Sequence, residues 1–275
     1  MSAGIYRSEA ARRSVYEAYD RLAARWPVPR EDLDVETEYG TVHVLAAGPS
    51  EGTPVMLLHA ASMGAPSWAL NARPLIEAGF RLFAIDHIGE GGRSVLRNPT
   101  RCPSNDGEVA ALYAEVADGL GIERGPVVGA SAGGQRALRY TLAHLERVSH
   151  LALVGPMGLT PLSVRATFKM MMSSVRPTSR RIESTTRWAL GTAPAVTEGY
   201  GEWFETVLRS VASPPRVARP TATSAEELRT LTVPTLVVLG DHDNLVGPPD
   251  GARHRASSIP DVDVHVLSSA HLVNV

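Results

Sequence analysis

The sequence predicts an α/β fold: a mostly parallel sheet covered on both faces by helices. Three observations carry this. Short apolar runs of strand length alternate with helical segments from residue 55 to 154 and again from residue 235. The run Val127-Val128-Gly129-Ala130-Ser131-Ala132-Gly133-Gly134 reads as a buried strand that turns sharply into a helix. The 275 residues, 44% hydrophobic and 20% charged with a formal net charge of −2, suit one globular α/β domain with a sizeable core and an inserted subdomain.

The elements follow in order. Over residues 8–25, Val15, Tyr19 and Leu22 share one helical face and Pro27 stops the helix. A hairpin comes next, with strands at 33–39 and 42–46 and a turn at Gly40-Thr41. A strand over 55–59 precedes a helix over 68–78 that ends at Gly79, and Phe80–Ile85 is again a strand. Asp106–Gly119 is helical, with Leu112 and Val116 on one face. The sharp turn joins a strand at 126–128 to a helix at 133–144, and strands follow at Val148–Val154, 235–239 and Val262–Leu267.

Residues 159–228 interrupt the alternation with helical patterns rich in Met, Arg and Trp, punctuated by Pro177, Pro194, Pro214, Pro215 and Pro220. They predict a helical cap inserted into a core made of 1–158 and 229–275, with 213–225 as a loop within the cap. Met170, Met171, Met172, Trp188, Trp203 and Phe204 suit a pocket lining, since Met adapts its shape. Packing between cap and core accounts for most of them.

Composition excludes several classes. The near-neutral balance gives no footprint for nucleic acid and no acidic tail. Cys102 is the single cysteine, so no intrachain disulfide forms, and its place between Arg101 and Pro103 gives no reason to make it a nucleophile. Arg7, Glu9, Arg12, Arg13, Glu17, Asp20, Arg21 and Arg25 break any apolar signal sequence, and no run reaches membrane-span length. A soluble, cytoplasmic protein is the expectation. The nine histidines show no metal-ligand spacing, and residues 89–92 lack the G-x-G-x-x-G spacing of a dinucleotide site. No metal and no cofactor are expected.

The chemistry is concentrated at Ser131. A serine on a strand–turn–helix bend written G-x-S-x-G projects its hydroxyl from the sheet edge. Gly129 and Gly133 permit the close approach around it, and the helix N-terminus behind it favours developing negative charge.

With this turn included, five motifs in one order resemble the α/β-hydrolase family over residues 36–273. The first is His59-Ala60-Ala61-Ser62-Met63-Gly64, similar to the family's His-Gly-x oxyanion loop with Ala60 in the glycine position. The second is Asp86-His87-Ile88-Gly89-Glu90-Gly91-Gly92-Arg93-Ser94, similar to an Asp-x-x-Gly-x-Gly-x-Ser turn. The third is the bend at Ser131, the fourth Gly240-Asp241-His242-Asp243 and the fifth Ala270-His271, the last two each just past a strand.

The resemblance implies an α/β-hydrolase fold and a Ser131–His271–Asp243 triad in the family's chain order. Ser131 is then the nucleophile, His271 the base and later the acid, and Asp243 the group that orients the imidazole. The backbone N–H groups of Ala61 and Ala132 would form the oxyanion hole. Asp241 competes with Asp243 for the acid role, but the family pattern favours the second acid and leaves Asp241 to hold the turn. The family's other position for the acid reads Gly155-Pro156-Met157-Gly158, with no carboxylate. His265 lies in a strand, His254 on an Arg-flanked helix and His242 in an exposed turn, which leaves His271. His59 braces the oxyanion loop, Asp86 and Ser94 shape their turn, and His87 and Glu90 are expected to face solvent.

The family also implies a helix after His271, where this sequence ends at Val275. Either the chain lacks that helix or the sequence is cut short of it; a missing helix would expose apolar sheet surface suited to a homodimer contact. The implied function is a carboxylesterase acting on a small or medium, partly apolar ester through an acyl-Ser131 intermediate. The alternatives are a lactonase or thioesterase, a lyase or cofactor-free oxygenase on the same triad, and a non-catalytic ligand-binding relative.

Overall fold

The structure is a computed structural model that describes residues 4–161, 163–175, 178–190, 199–212 and 221–271. Strands β1 (Arg30–Thr37) and β2 (Gly40–Ala47) form an antiparallel hairpin. β2 also pairs antiparallel with β4 (Phe80–Ile85) and with the two-residue β5 (Val95–Leu96). The rest of the sheet is parallel. β3 (Thr53–Leu58) lies against β4, β6 (Gly125–Ala130) against the other edge of β3, and then come β7 (Val148–Val154), β8 (Thr235–Gly240) and β9 (Val262–Leu267).

The chain therefore leaves β3 in one direction through α2 (Ala69–Glu77) to β4, and returns through α3 (Asp106–Gly119) to β6 on the opposite side. Where a parallel sheet reverses its winding in this way, the loops at the carboxyl ends of the two central strands diverge and leave a crevice. Here those loops begin at His59 and Ser131.

Local chemistry explains the elements. β3 is buried on both faces and reads as a continuous apolar run, Val55-Met56-Leu57-Leu58. α1 (Glu9–Ala23) starts at Ser8, whose hydroxyl accepts from the Ala11 N–H, and it buries Val15, Tyr19 and Leu22 as its periodicity predicts. α3 starts at Asn105, whose side chain accepts from the Glu108 N–H. α4 (Ala132–Ala143) is buried over most of its length because it crosses the sheet directly behind β6.

The hairpin turn needs correction. Thr37 faces Gly40 in register, so the turn is Glu38-Tyr39 and not Gly40-Thr41. Gly40 opens β2 at φ +138°, where a Cβ would run into the Val95 carbonyl. The glycine admits β5; it does not bend the hairpin. The helix expected over 68–78 begins earlier, as a 3₁₀ turn at Ala65–Trp68 that feeds α2.

Between β7 and β8 the described residues form α5 (Val164–Val175), α6 (Ser179–Leu190), α7 (Tyr200–Ser210) and the short α8 (Ala225–Arg229), with no sheet strand among them. α7 is anchored to α1 by the edge-to-face contact of Trp203 with Tyr19 at 6.0 Å and by the Arg21–Glu202 ion pair at 2.7 Å. Pro177, Pro194, Pro214, Pro215 and Pro220, the side chains of Met170 and Met171, and the segment after His271 lie outside the described residues. Among the described residues no helix is long and apolar enough to cross a membrane.

Two glycines set the fit between α4 and the sheet. A Cβ on Gly133 would collide with the Leu58 carbonyl, and one on Gly129 with the Gly133 carbonyl. Gly133→Ala is expected to lower the unfolding free energy by about 1–3 kcal/mol through this overpacking, read from urea denaturation. Wild-type stability in that variant would show that the contact is not tight.

Candidate active site

Ser131 links β6 to α4 at φ 52° and ψ −116°, a positive-φ conformation that non-glycine residues rarely adopt. Surrounding bonds hold it there. Its N–H donates to the Val154 carbonyl at 2.9 Å, and its own carbonyl accepts from Gly134 at 2.9 Å and Met157 at 3.0 Å. Such strain costs about 1–3 kcal/mol and persists where neighbours over-determine it.

His271 follows β9 and Asp243 follows β8, so both reach the crevice from the carboxyl edge of the sheet. His271 Nε2 lies 2.7 Å from Ser131 Oγ, and His271 Nδ1 lies 2.7 Å from Asp243 Oδ2. The other carboxylate oxygen of Asp243 accepts from the Leu245 and Val246 N–H groups at 2.8 and 3.0 Å. A carboxylate oxygen facing the ring accepts, so Nδ1 carries the imidazole proton and Nε2 is free to accept from the serine hydroxyl. All three residues are buried, at 2%, 1% and 6% exposure for Ser131, His271 and Asp243. The structure thus brings together the three side chains singled out in the sequence.

The rival residues lie elsewhere. Asp241 accepts from the Ser269 N–H at 3.1 Å and ties the ends of β8 and β9. His242 is exposed beside it, His265 pairs with Asp263 on the exposed side of β9, and His254 is exposed on α9 (Pro249–Ala256). Cys102 is buried, and burial pushes its thiol up to about 12, so it stays protonated. Among the described residues no cluster of three His, Cys, Asp or Glu side chains has a metal-binding arrangement.

The loop after β3 is held peptide by peptide. His59 Nδ1–H donates to the Ala60 carbonyl at 2.7 Å. Among the described residues no peptide bond is cis, so the Ala61 N–H of that same peptide points the opposite way. The next N–H, of Ser62, donates to Glu90 Oε2 at 2.5 Å, and the Ser62 carbonyl accepts from Trp203 Nε1 at 2.6 Å. Ala132 is the first residue of α4, where a helix has no internal acceptor for its N–H. Neither the Ala61 nor the Ala132 N–H has an acceptor among the described residues. The packing of Gly133 against Leu58 and His59 sets the two segments side by side.

His87 and Glu90 do not face solvent as expected; His87 is buried and the Glu90 side chain is only 10% exposed within this support. The Tyr113 hydroxyl donates to His87 Nδ1 at 2.6 Å, and His87 Nε2–H donates to the His59 carbonyl at 2.8 Å. The His87 backbone N–H donates to His59 Nε2 at 3.1 Å. Each ring nitrogen therefore has one assigned role, and both imidazoles are neutral. Burial drives both below the ordinary 6.5, His87 furthest, with Arg136 adding to the effect on His87. Asp86 accepts from the Ala65 and Arg93 N–H groups, and Ser94 bridges the Asp86 carbonyl to the His43 N–H, so both shape their turn as expected.

The helices between β7 and β8 touch this machinery as well. The His271 N–H donates to the Ala189 carbonyl at 3.3 Å, and Asn244 Nδ2 donates to the Trp188 carbonyl at 2.9 Å. Trp203 is packing, as expected for most of the large side chains here, but its indole N–H also serves the loop after β3. Met172 lines an open groove of about 660 Å³ between α5 and α6, with Phe168 and Arg181; Ser131, Asp243 and His271 are not part of it. No local sequence signal marks Glu90, Arg136, Tyr113, Trp203 or Asn244, because each meets a partner remote in the chain.

The neutral histidine pair makes a stability prediction. Unfolded, both rings bind protons below about pH 6.5, while the buried rings resist. Stability from this source is complete above that pH and is lost as pH falls toward the lowered native values, by up to about 1.4 kcal/mol per pH unit per histidine. His87→Gln is expected to flatten the loss of unfolding free energy between pH 7.5 and 5.5. An unchanged slope would mean that His87 is not held neutral.

Residues 53–274 match the family model described as the alpha/beta hydrolase fold. The carboxylesterase nap of Bacillus subtilis, itself uncharacterized, is 29% identical over 261 residues, which is 93% of this chain and 85% of that protein. Carboxylesterase YbfK of the same organism is 24% identical over 267 residues, covering 94% and 88%. The crystal structure of naproxen esterase (carboxylesterase NP) from Bacillus subtilis superposes with a TM-score of 0.86 at 27% identity, covering 94% of this chain and 90% of that one. The chain belongs to the α/β-hydrolase family.

Proposed function

We propose that the protein is a serine carboxylesterase in which Ser131, His271 and Asp243 form the triad. The observation that carries this reading is the unbroken chain from Ser131 Oγ through both nitrogens of His271 to Asp243, with each link at 2.7 Å. The kinship with carboxylesterases supports it.

A serine hydroxyl needs a base at neutral pH. As Ser131 Oγ bonds to the ester carbon, its proton passes to His271 Nε2, and Asp243 holds the resulting imidazolium through Nδ1–H. The carbonyl oxygen becomes an oxyanion between the N–H groups of Ala61 and Ala132. The tetrahedral intermediate collapses, its bond to the alkoxide oxygen breaks, and His271 protonates the departing alcohol. Water then gives a proton to His271 and its oxygen to the acyl carbon; the bond from that carbon to Ser131 Oγ breaks, His271 returns the proton to Oγ, and the acid leaves. Residues 159–228 act as a cap over this site, in keeping with the contacts of Ala189, Trp188 and Trp203. A carboxylic ester of small or medium size with an apolar portion fits beneath them.

Hydrolysis of short p-nitrophenyl esters tests the reading. Ser131→Ala is expected to lower kcat by about 10⁴–10⁶-fold; equal turnover by wild type and variant would remove Ser131 as nucleophile. Asp243→Asn is expected to lower kcat by about 10⁴-fold by favouring the wrong imidazole tautomer. Activity within tenfold of wild type would assign the acid role elsewhere.

A further inference from the structure

We propose that Glu90 and Arg136 are positioning residues: together they set the Ala61 oxyanion donor against the Ala132 donor and leave no net charge beside the oxyanion. This rests on the serine-esterase reading above.

Glu90 sits in the loop after β4, yet its carboxylate works on two other segments. Oε2 accepts from the Ser62 N–H at 2.5 Å, and Oε1 accepts from Arg136 Nη2 at 2.5 Å. Arg136 lies on α4, one turn beyond the helix N-terminus that supplies the Ala132 N–H. Glu90 and Arg136 side chains are 10% and 11% exposed, so the pair is largely withdrawn from water. One ion pair thus connects the helix that carries the first donor to the loop that carries the second.

The loop needs this hold. Ser62 is, with Ser131, one of two non-glycine residues at positive φ among the described residues, at 58°. A left-handed serine returns to ordinary backbone unless something fixes it, and a rotation at Ser62 or Ala61 would turn the Ala61 N–H out of line. His59 fixes the peptide before Ala61, and Glu90 fixes the one after it. The orientation of Ala61 is therefore determined from both sides.

A carboxylate makes a stronger acceptor than an amide. Alone, it would be costly to bury and would repel the negative charge that the site exists to stabilise. Arg136 removes both objections. Burial by itself would raise the Glu90 carboxyl; the Arg136 charge, with the Ser62 N–H, brings it below the usual carboxylate range, so it stays ionised. Around Arg136 stand Glu90, Tyr113 and Cys102, and Glu90 is its one carboxylate partner among the described residues. Both side chains therefore serve each other and Ser62.

The test compares wild type, Glu90→Gln, Glu90→Asp, Arg136→Met and Arg136→Lys. The readouts are p-nitrophenyl ester kinetics, inhibition by a trifluoromethyl ketone, whose tetrahedral adduct places an oxyanion in the hole, and thermal melting. Glu90→Gln and Arg136→Met are each expected to lower kcat by about 10–1000-fold, the upper part of that range matching the roughly 100–1000-fold set by outright loss of one oxyanion donor. KM should stay within about twofold, and ketone affinity should fall in proportion to kcat. Arg136→Lys should recover most of the loss because it keeps the charge. Where the neutral variants do not fold, Glu90→Asp carries the test: it keeps the ion pair, retreats from Ser62, and should still lose kcat and ketone affinity together. Wild-type kcat and ketone affinity in folded Glu90→Gln or Glu90→Asp would overturn the proposal, as would losses that only follow the folded fraction. Absence of both ester turnover and ketone binding in wild type would overturn the esterase reading and this one with it.

Discussion

The contact between the start of α4 and the end of β3 is the constraint on which the rest of the site depends. Gly133 lies so close to the Leu58 and His59 carbonyls that no side chain fits between them. This closeness forces the bend at Ser131 to be sharp and its φ positive. It also brings the free N–H groups at the helix N-terminus beside the loop that leaves β3. A looser junction would permit an ordinary strand–helix turn, but it would separate the Ala132 N–H from the Ala61 N–H, the two oxyanion donors of the proposed mechanism. The sheet supplies the matching half of the constraint. Because β6 returns on the opposite side of β3 from β4, the two loops diverge around a crevice, and β8 and β9 carry Asp243 and His271 to the same edge.

Once those segments are adjacent, the remaining problem is to stop them from moving. Nearly every polar group that does so is buried, and apart from Arg136 Nη1 each has an assigned partner. Tyr113, His87 and His59 form a chain of neutral donors and acceptors that ends on the Ala60 carbonyl, while Glu90 and Trp203 take the next peptide groups in turn. In a low-dielectric interior, satisfied bonds of this kind are stiff, and a broken one leaves a costly orphan. Catalysis by fixed dipoles needs this stiffness, because donors already in place do not have to reorganise as charge develops.

Much of this was legible in the sequence. The strands Phe80–Ile85 and Val148–Val154 emerge at their observed bounds because buried parallel strands are mostly apolar with clear punctuation, and Val262–Leu267, a largely exposed edge strand, because its apolar and polar residues alternate. Ser131, Asp243 and His271 were legible because each directly follows a strand in a recognisable order. The hairpin turn was misread for a physical reason: glycine marks a positive φ, and at Gly40 that freedom admits β5 instead of making the bend. His87 and Glu90 were misread as solvent-facing because a polar residue in a loop is usually exposed. Their burial is created by Tyr113 and Arg136, which come from α3 and α4 and leave no trace in local periodicity.

The helices between β7 and β8 contribute more than cover. A lid that only shielded a pocket would touch the site through side chains that could swing away. Here the Trp188 carbonyl binds the segment after Asp243, the Ala189 carbonyl binds His271, and Trp203 binds the loop after β3. Two of the three contacts use backbone carbonyls in the last turn of α6, where helix carbonyls lack internal donors and must find them elsewhere. The donors are the His271 N–H and the Asn244 amide, which have the complementary need. Each side therefore satisfies the other, and moving α6 as a rigid body would unmake bonds at the histidine and the acid together. Small adjustments around a fixed α6 preserve the Ser131–His271–Asp243 arrangement, whereas lifting the whole helix breaks the bonds that hold His271 and Asn244.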